Sequence, residues 1–248
     1  MNVAFQRLRT QRLVGPPFPS AVEAVRALVA VQSQDYPAAK WALGLRLRGA
    51  TDRALDALCD AGTLLRTHVL RPTWHFVLPE DIHWLLELTA PRIKQALGSY
   101  DRKLDLDSRV HARAFGVFEK ELRDRRYRTR TELADALERS RIPARGQRLG
   151  HLMMNAELDG VVVSGPLRGK QRTYALLDER APHRRRLGRD EALAELALRY
   201  FTGHGPAQLE DFSWWSGLSP ADARRGLESV RSELASAELE GRTYWASP

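Results

Sequence analysis

Two glutamines separated by a single residue, Gln32 and Gln34, lie in the run Gln32-Ser33-Gln34-Asp35-Tyr36-Pro37. Each amide offers a carbonyl acceptor and two N–H donors, so two amides aimed at one place make a polar pocket. On a regular helix, residues two apart differ by about 200° and cannot face one spot. Pro37 disfavours helix at Tyr36 and puts a helix end there. Gln34 then falls in the last turn or beyond it, and both amides can converge. A helix C-terminus carries partial negative charge, which favours a nearby cation. The same residues also suit the ordinary polarity of a helix end, and spacing leaves both readings open. Asp35 adjoins the pair, as a source of negative charge or as a solvated helix-end residue.

The elements that must hold these residues repeat. Three times a pair of helical segments precedes a β-hairpin or the start of one. The middle copy is clearest: Thr129 with Glu132 forms a capping box before Leu133, Ala134 and Leu137. A turn at 142–144, a second helix with Leu149, Leu152, Met153 and Leu158, and a stop at Asp159-Gly160 follow. The run Val161-Val162-Val163, a turn over 165–170 and a return strand over 172–177 complete it. Helix, turn, helix, hairpin is a winged helix-turn-helix, which usually lays its second helix in a DNA major groove. In the first unit Ser20 caps a helix with Val22, Val25, Leu28 and Val31; Pro37 starts a second; Thr51 caps a third; and 64–78 reads as a wing. A connecting helix follows from Pro79. In the third, a helix near Asp190 precedes one starting at Pro206 and one capped by Ser219 with Pro220 at its first position. A final strand over 237–245 has no return partner before Pro248, implying a truncated wing or pairing elsewhere.

The expected fold is therefore mainly α with short β-hairpins (α+β): three tandem winged helix-turn-helix units forming a concave basic surface. The units span 1–98, 108–178 and 190–248, with polar linkers at 99–107 and 179–189. On the first wing Arg71, Thr73 and His75 share one strand face and could point toward the glutamines, although His75 also suits a scaffold role. Trp41, Trp74 and Trp84 suit either base stacking or the core. In the second unit Arg145, Gln147, Arg148 and His151 line the polar side of the expected second helix, and Arg168, Lys170 and Arg172 lie on its wing. Arg145, Arg148, Arg168, Lys170 and Arg172 read as phosphate contacts, which position a duplex without reading its sequence.

Net charge is +8 over 248 residues. That balance favours an anionic partner, nucleic acid first. The cations are five lysines against 34 arginines, a skew that a GC-rich genome also produces. The single cysteine, Cys59, cannot form an intramolecular disulfide and sits among Leu55, Leu58 and Ala61 as a core residue. The seven histidines form no H-x-x-x-H pair, and metal-binding cysteine spacing is absent. A membrane-spanning helix needs an apolar run of roughly 18 residues or more. No run in the chain approaches that length, and the basic N-terminus lacks a secretory apolar stretch. A cytoplasmic, nucleoid-associated location is expected.

The run from Val31 through Pro37, continuing through Trp41-Ala42-Leu43 to Arg46, resembles the signature of a bacterial winged-helix family that includes the AlkZ/YcaQ-like DNA glycosylases. Arg66-Thr67, Arg71-Pro72-Thr73-Trp74-His75 and Asp81-Ile82-His83-Trp84-Leu85-Leu86 carry the resemblance further. Gly205-Pro206-Ala207, Asp211-Phe212 and Trp215-Ser216-Gly217-Leu218 extend it over nearly the whole chain. The resemblance implies three tandem winged helices and a catalytic motif of Gln–aliphatic–Gln, or Gln–aliphatic–Asp in a sister group. Gln32 and Gln34 occupy its outer positions as the expected catalytic residues, and Ser33 departs from the aliphatic middle. Family members continue into a β-rich C-terminal segment, so an end at Pro248 implies a cut chain or weakened DNA binding.

The implied reaction is monofunctional excision of alkylated purines, crosslinked ones included, from double-stranded DNA by a monomer, without metal or cofactor. An N7- or N3-alkylated purine is cationic and leaves without protonation. A glutamine carbonyl can hold the attacking water, and fixed dipoles can stabilise the sugar cation. Paired carboxylates do both tasks in ordinary sugar hydrolysis. No lysine lies in the first-wing signature to act as a lyase nucleophile. The rivals are a non-catalytic winged-helix DNA-binding protein, such as a transcription regulator, and a protein-docking module. Regulators usually dimerise on a palindrome, for which three units in one chain reduce the need.

Overall fold

In the computed structural model, which describes residues 2–248, each cap read from the sequence closes a helix. Helix α1 (Val3–Thr10) precedes the first unit. There α2 (Ala21–Leu28) begins where Ser20 Oγ accepts from Glu23 N–H at 3.1 Å. Strand β1 (Val31–Gln32), α3 (Tyr36–Gly44) and α4 (Asp52–Ala61) follow, the last capped by Thr51 at 3.2 Å. The hairpin of β2 (Leu65–Val69) and β3 (Arg71–Val77) makes β3 the central strand of an antiparallel sheet, in the order β1-β3-β2. Helix α5 (Ile82–Lys103) then leads to the second unit.

The second unit repeats that order: α6 (Ser108–Leu122), β4 (Arg128–Thr129), α7 (Arg130–Arg139), α8 (Gln147–Leu158), β5 (Val162–Arg168) and β6 (Gln171–Leu176). Its sheet has the matching order β4-β6-β5, and the capping box of Thr129 and Glu132 is present. After α9 (Leu177–Arg180) come α10 (Arg189–His204), α11 (Leu209–Ser216), α12 (Pro220–Val230), β7 (Ala235–Leu239) and β8 (Arg242–Ala246). Ala207 forms an antiparallel bridge to Trp245, in the place of the short first strand. The chain is thus mostly helical with short antiparallel sheets, and none of its described helices is long and apolar enough to cross a membrane.

Tertiary structure overrides several expectations. Helix α2 stops at Leu28, because Val29 turns to φ +66°, so the glutamines leave the helix altogether. The third unit's final strand does have a partner. Glu240 and Gly241, both at positive φ, make a two-residue turn of the primed kind that joins β7 to β8 with Leu239 opposite Arg242. Pro206 starts no helix, since its neighbour Ala207 is committed to Trp245 and α11 begins at Leu209. The 99–107 linker is largely helix. Helix α5 continues to Lys103, and its buried Asp101 accepts from Asn155 at 3.1 Å and bonds His151 Nδ1 at 2.7 Å.

Buried contacts join the units. Val69, Leu70 and Trp84 share one apolar core with Phe201, Phe212 and Leu227 of the third unit. Buried Asp81 takes Arg199 at 2.8 and 2.9 Å and Trp84 Nε1 at 3.0 Å. The second hairpin leans on the first unit: Arg66 N–H donates to Ser164 Oγ at 2.8 Å, and Leu167 N–H to Asp60 at 2.7 Å.

Candidate active site

The glutamine segment is extended. Val31 pairs with Phe76 and Gln32 with His75, and Ser33 N–H continues the ladder to Trp74 C=O at 2.7 Å. Residues two apart on an extended strand point to the same side. Gln32 and Gln34 are accordingly exposed, while Ser33 between them is 0% exposed. Gln32 lies on the strand, and Gln34 lies two residues on, in a bend just before the Asp35 cap of α3, so neither sits at a helix C-terminus.

The strand register sets their neighbours. His75 is the cross-strand partner of Gln32, and Thr67 stands beyond His75 on β2. Thr73, two residues before His75, belongs to the same side by alternation. Main-chain N–H of Trp74 donates to Gln34 Oε1 at 3.3 Å, tethering one amide. The His75 ring is buried against Thr73 C=O, with Nδ1 at 2.9 Å. Burial pushes its pKa down to about 4, so the imidazole is neutral at pH 7. With Nδ1 donating to the carbonyl, Nε2 is left as an acceptor.

A second layer, which spacing did not reveal, fixes this segment from behind. Arg66 donates to Ser33 C=O through Nε at 3.0 Å and Nη2 at 2.9 Å, and its guanidinium lies 4.3 Å from the Trp74 ring centre. Trp74 Nε1 donates to the carboxylate of Glu157 on α8 at 3.1 Å. The same buried carboxylate accepts from His68 N–H at 3.1 Å and bonds the His68 ring. Burial and the nearby Arg172 lower the Arg66 pKa to about 10, which leaves it charged at neutral pH. One signal for Glu157 was available: it is a lone acid beside Met153, Ala156 and Leu158 on the apolar side of its helix.

Arg172 reaches across from β6, its Cζ 3.4 Å from the Tyr36 ring centre, and its two terminal nitrogens have no acceptor among the described residues. Tyr36 donates to Asp56 at 2.5 Å. Lys40 is buried, which alone would lower its pKa, but bonds to Asp52 at 2.5 Å and Asp56 at 2.8 Å raise it. Its amine is a locked ammonium rather than a free nucleophile.

The strand register puts Gln32, Thr73 and His75 on one side of the sheet, with Gln34 bonded to the Trp74 main chain, whereas Arg172 stacks on Tyr36; the other expected residues lie elsewhere. Asp35 caps α3, accepting from Ala38 N–H at 3.0 Å. Arg71 stacks on Trp214 with Cζ 4.3 Å from the ring centre. Arg145 is exposed beside Glu138 at 3.7 Å, and Lys170 is exposed at the turn of the second hairpin. Arg168 is engaged by Glu132 and Tyr127 C=O, both at 2.7 Å. Arg148 donates to Pro143 C=O at 2.8 Å and to Leu104 C=O. Helix α8 lies against α5 and β2 and spends His151, Asn155 and Glu157 on protein partners, so it is not the open groove-reading helix expected. Trp84 is core and Trp74 half-buried, whereas Trp41 is exposed; Cys59 is buried as expected. No cluster of metal-ligating side chains occurs among the described residues.

A family model described as DNA glycosylase AlkZ-like matches residues 25–248. An interstrand DNA cross-link repair glycosylase of Streptomyces sahachiroi is 27% identical over 254 aligned positions, covering 95% of this chain. The chain spans 66% of that relative's length. The solved structure of Streptomyces sahachiroi DNA glycosylase AlkZ superposes with a TM-score of 0.80 at 24% identity, over 97% of this chain and 67% of that one. At that identity the superposition speaks to fold alone.

Proposed function

Because the chain belongs to the AlkZ-like DNA glycosylase family, we propose that it is a monofunctional DNA glycosylase acting on alkylated purines, interstrand crosslinks among them. The observation that carries this reading is the pair of exposed amides, Gln32 and Gln34, flanking a buried Ser33 at the end of β1. In the reaction, water adds at C1′ as the N-glycosidic bond breaks. The bonding pair leaves with the cationic base, which departs neutral, and the water's proton passes to solvent. The Gln carbonyls hold the water and face the developing sugar cation, where preorganised dipoles lower the barrier. Gln34 is preset by its bond from Trp74 N–H. His75, neutral at pH 7, adds an acceptor without competing positive charge. The locked Lys40 ammonium favours hydrolysis over lyase chemistry.

The thrice-repeated order of helix, short strand, two helices and hairpin supports three tandem winged-helix units, spanning 1–98, 108–178 and 190–248, around a concave basic face. A net charge of +8 fits double-stranded DNA as partner, with Arg71, Thr73, His75, Arg145, Lys170 and Arg172 as the candidates around the duplex and Asp35, Arg148 and Arg168 as residues already engaged within the fold. On this reading the protein works as a cytoplasmic, nucleoid-associated monomer without a cofactor.

Single-turnover base release from DNA containing N7-methylguanine tests the proposal. Gln32→Ala and Gln34→Ala each remove a contact worth roughly 2–4 kcal/mol in the transition state, so the rate falls about 30- to 1000-fold. Melting and DNA affinity stay near the parent's, since both side chains are exposed. Variants that excise at the parent rate would move the site elsewhere. A parent that binds DNA but releases no alkylpurine would make the protein a non-catalytic DNA binder.

A further inference from the structure

Helix α11 turns Phe212, Trp215 and Ser216 toward the core and leaves Trp214 outside, 70% exposed. An isolated surface aromatic is ordinary. Three observations make this one different. Trp214 is stacked by a guanidinium, that of Arg71, at 4.3 Å. Arg71 begins the same strand as Thr73 and His75, and on the same side. A strand rises about 3.3 Å per residue, so the Arg71 backbone that carries the stack lies about 7 Å beyond that of Thr73 along the strand. Its position is also fixed. Gly217, which ends α11 at φ +69°, abuts Leu70 C=O so closely that a Cβ there would overlap it, clamping the helix to the β2–β3 turn.

We propose that Trp214 and Arg71 form a stacking platform for one nucleobase displaced from the duplex, contributed by the third unit at the end of the glutamine face. The inference rests on the glycosylase reading for its location but concerns binding. An indole offers a wide, sequence-tolerant π-face to any base, and arginine adds a cation–π contribution and donors for an adjoining phosphate. The Arg71 Nε is buried without an acceptor among the described residues, so a phosphate would meet the terminal nitrogens of the guanidinium. A base unstacked at the target site, beside it or opposite it supplies the missing partner for the free indole face.

The test is equilibrium binding to duplexes that cannot be hydrolysed: one fully paired, one with a central mismatch, one with a tetrahydrofuran abasic analogue opposite a normal base. Trp214→Leu weakens binding to the mismatched duplex about 5- to 100-fold, the range for loss of one base–aromatic stack. Trp214→Phe retains most of the affinity. The slope of log K against log salt does not change, because no phosphate contact is lost. Melting does not change, as the side chain is exposed. If the effect persists on the abasic duplex, the platform takes a neighbouring or opposite base; if it disappears there, the platform takes the target base. Unchanged affinity of Trp214→Leu for the mismatched duplex, an equal loss on fully paired DNA, or a parent that binds none of the three duplexes overturns the platform. Excision is not measured, so a parent that binds but releases no base would remove the glycosylase reading and leave the platform standing.

Discussion

Glu157→Ala exposes how far the site depends on the second unit. The buried carboxylate satisfies His68 N–H at 3.1 Å, Trp74 Nε1 at 3.1 Å and the His68 ring. Removing it strands these donors where water does not reach, at about 1–3 kcal/mol each. The glutamate's own burial cost offsets part of this, so the net loss is about 3–5 kcal/mol. In a chain this long, each kcal/mol shifts Tm by about 2–4 °C, so the midpoint falls roughly 6–20 °C. The main chain of Trp74 bonds both Ser33 N–H and the Gln34 amide, so a loosened indole also loosens the motif. Displacement of a catalytic group by about 1 Å can cost on the order of 100-fold in rate. Single-turnover excision, measured well below the variant's Tm, is therefore expected to drop about 10- to 100-fold, with DNA affinity near the parent's. Glu157→Gln keeps the volume and one acceptor and falls between. A Glu157→Ala protein that melts within about 2 °C of the parent, or excises at its rate, would refute the reasoning.

Mild acid should weaken the fold through two buried histidines. Burial holds His75 and His204 near pKa 4, against 6.5 when unfolded. Between those values the unfolded chain binds more protons, so stability falls as pH drops through that window, by up to about 3 kcal/mol per histidine. Urea midpoints measured from neutral to mildly acidic pH check this; His204→Gln should flatten the profile, and an unchanged slope would count against it. Arg148, which the sequence marked as a DNA contact, instead donates to the Pro143 and Leu104 carbonyls. Arg148→Ala removes those donors and should cost about 1–2 kcal/mol of stability. Parallel urea melts and DNA titrations separate the two outcomes: loss of affinity at unchanged stability would return Arg148 to the DNA surface.

Local chemistry was legible because it is local. Ser20, Thr51, Thr129 and Ser219 each cap the helix their position announced, since a cap needs only the next three residues. The glutamine pair was found by residue type, yet its strand was not, because β1 is two residues long and exists only through its partner β3. The Glu240 and Gly241 turn was missed for a similar reason: a glutamate at positive φ is uncommon, and the hairpin around it imposes that conformation. Helix α8 carries polar residues at the spacing of a solvated edge, but α5 and β2 cover it. No periodicity tells a polar side chain facing water from one facing a buried partner.

Ser33 divides the freedom to mutate along this segment into two independent channels. The flanking positions answer to chemistry and the middle one to volume, because its side chain points the other way. Its Oγ is buried and has no partner among the described residues. A methyl group in its place would relieve a stranded hydroxyl without touching either amide. Drift at position 33 toward small apolar residues is therefore open to selection for robustness alone, whereas inserting or deleting one residue there would turn one glutamine into the core. In this segment the parity of the residue count is constrained more tightly than the identity of its central side chain.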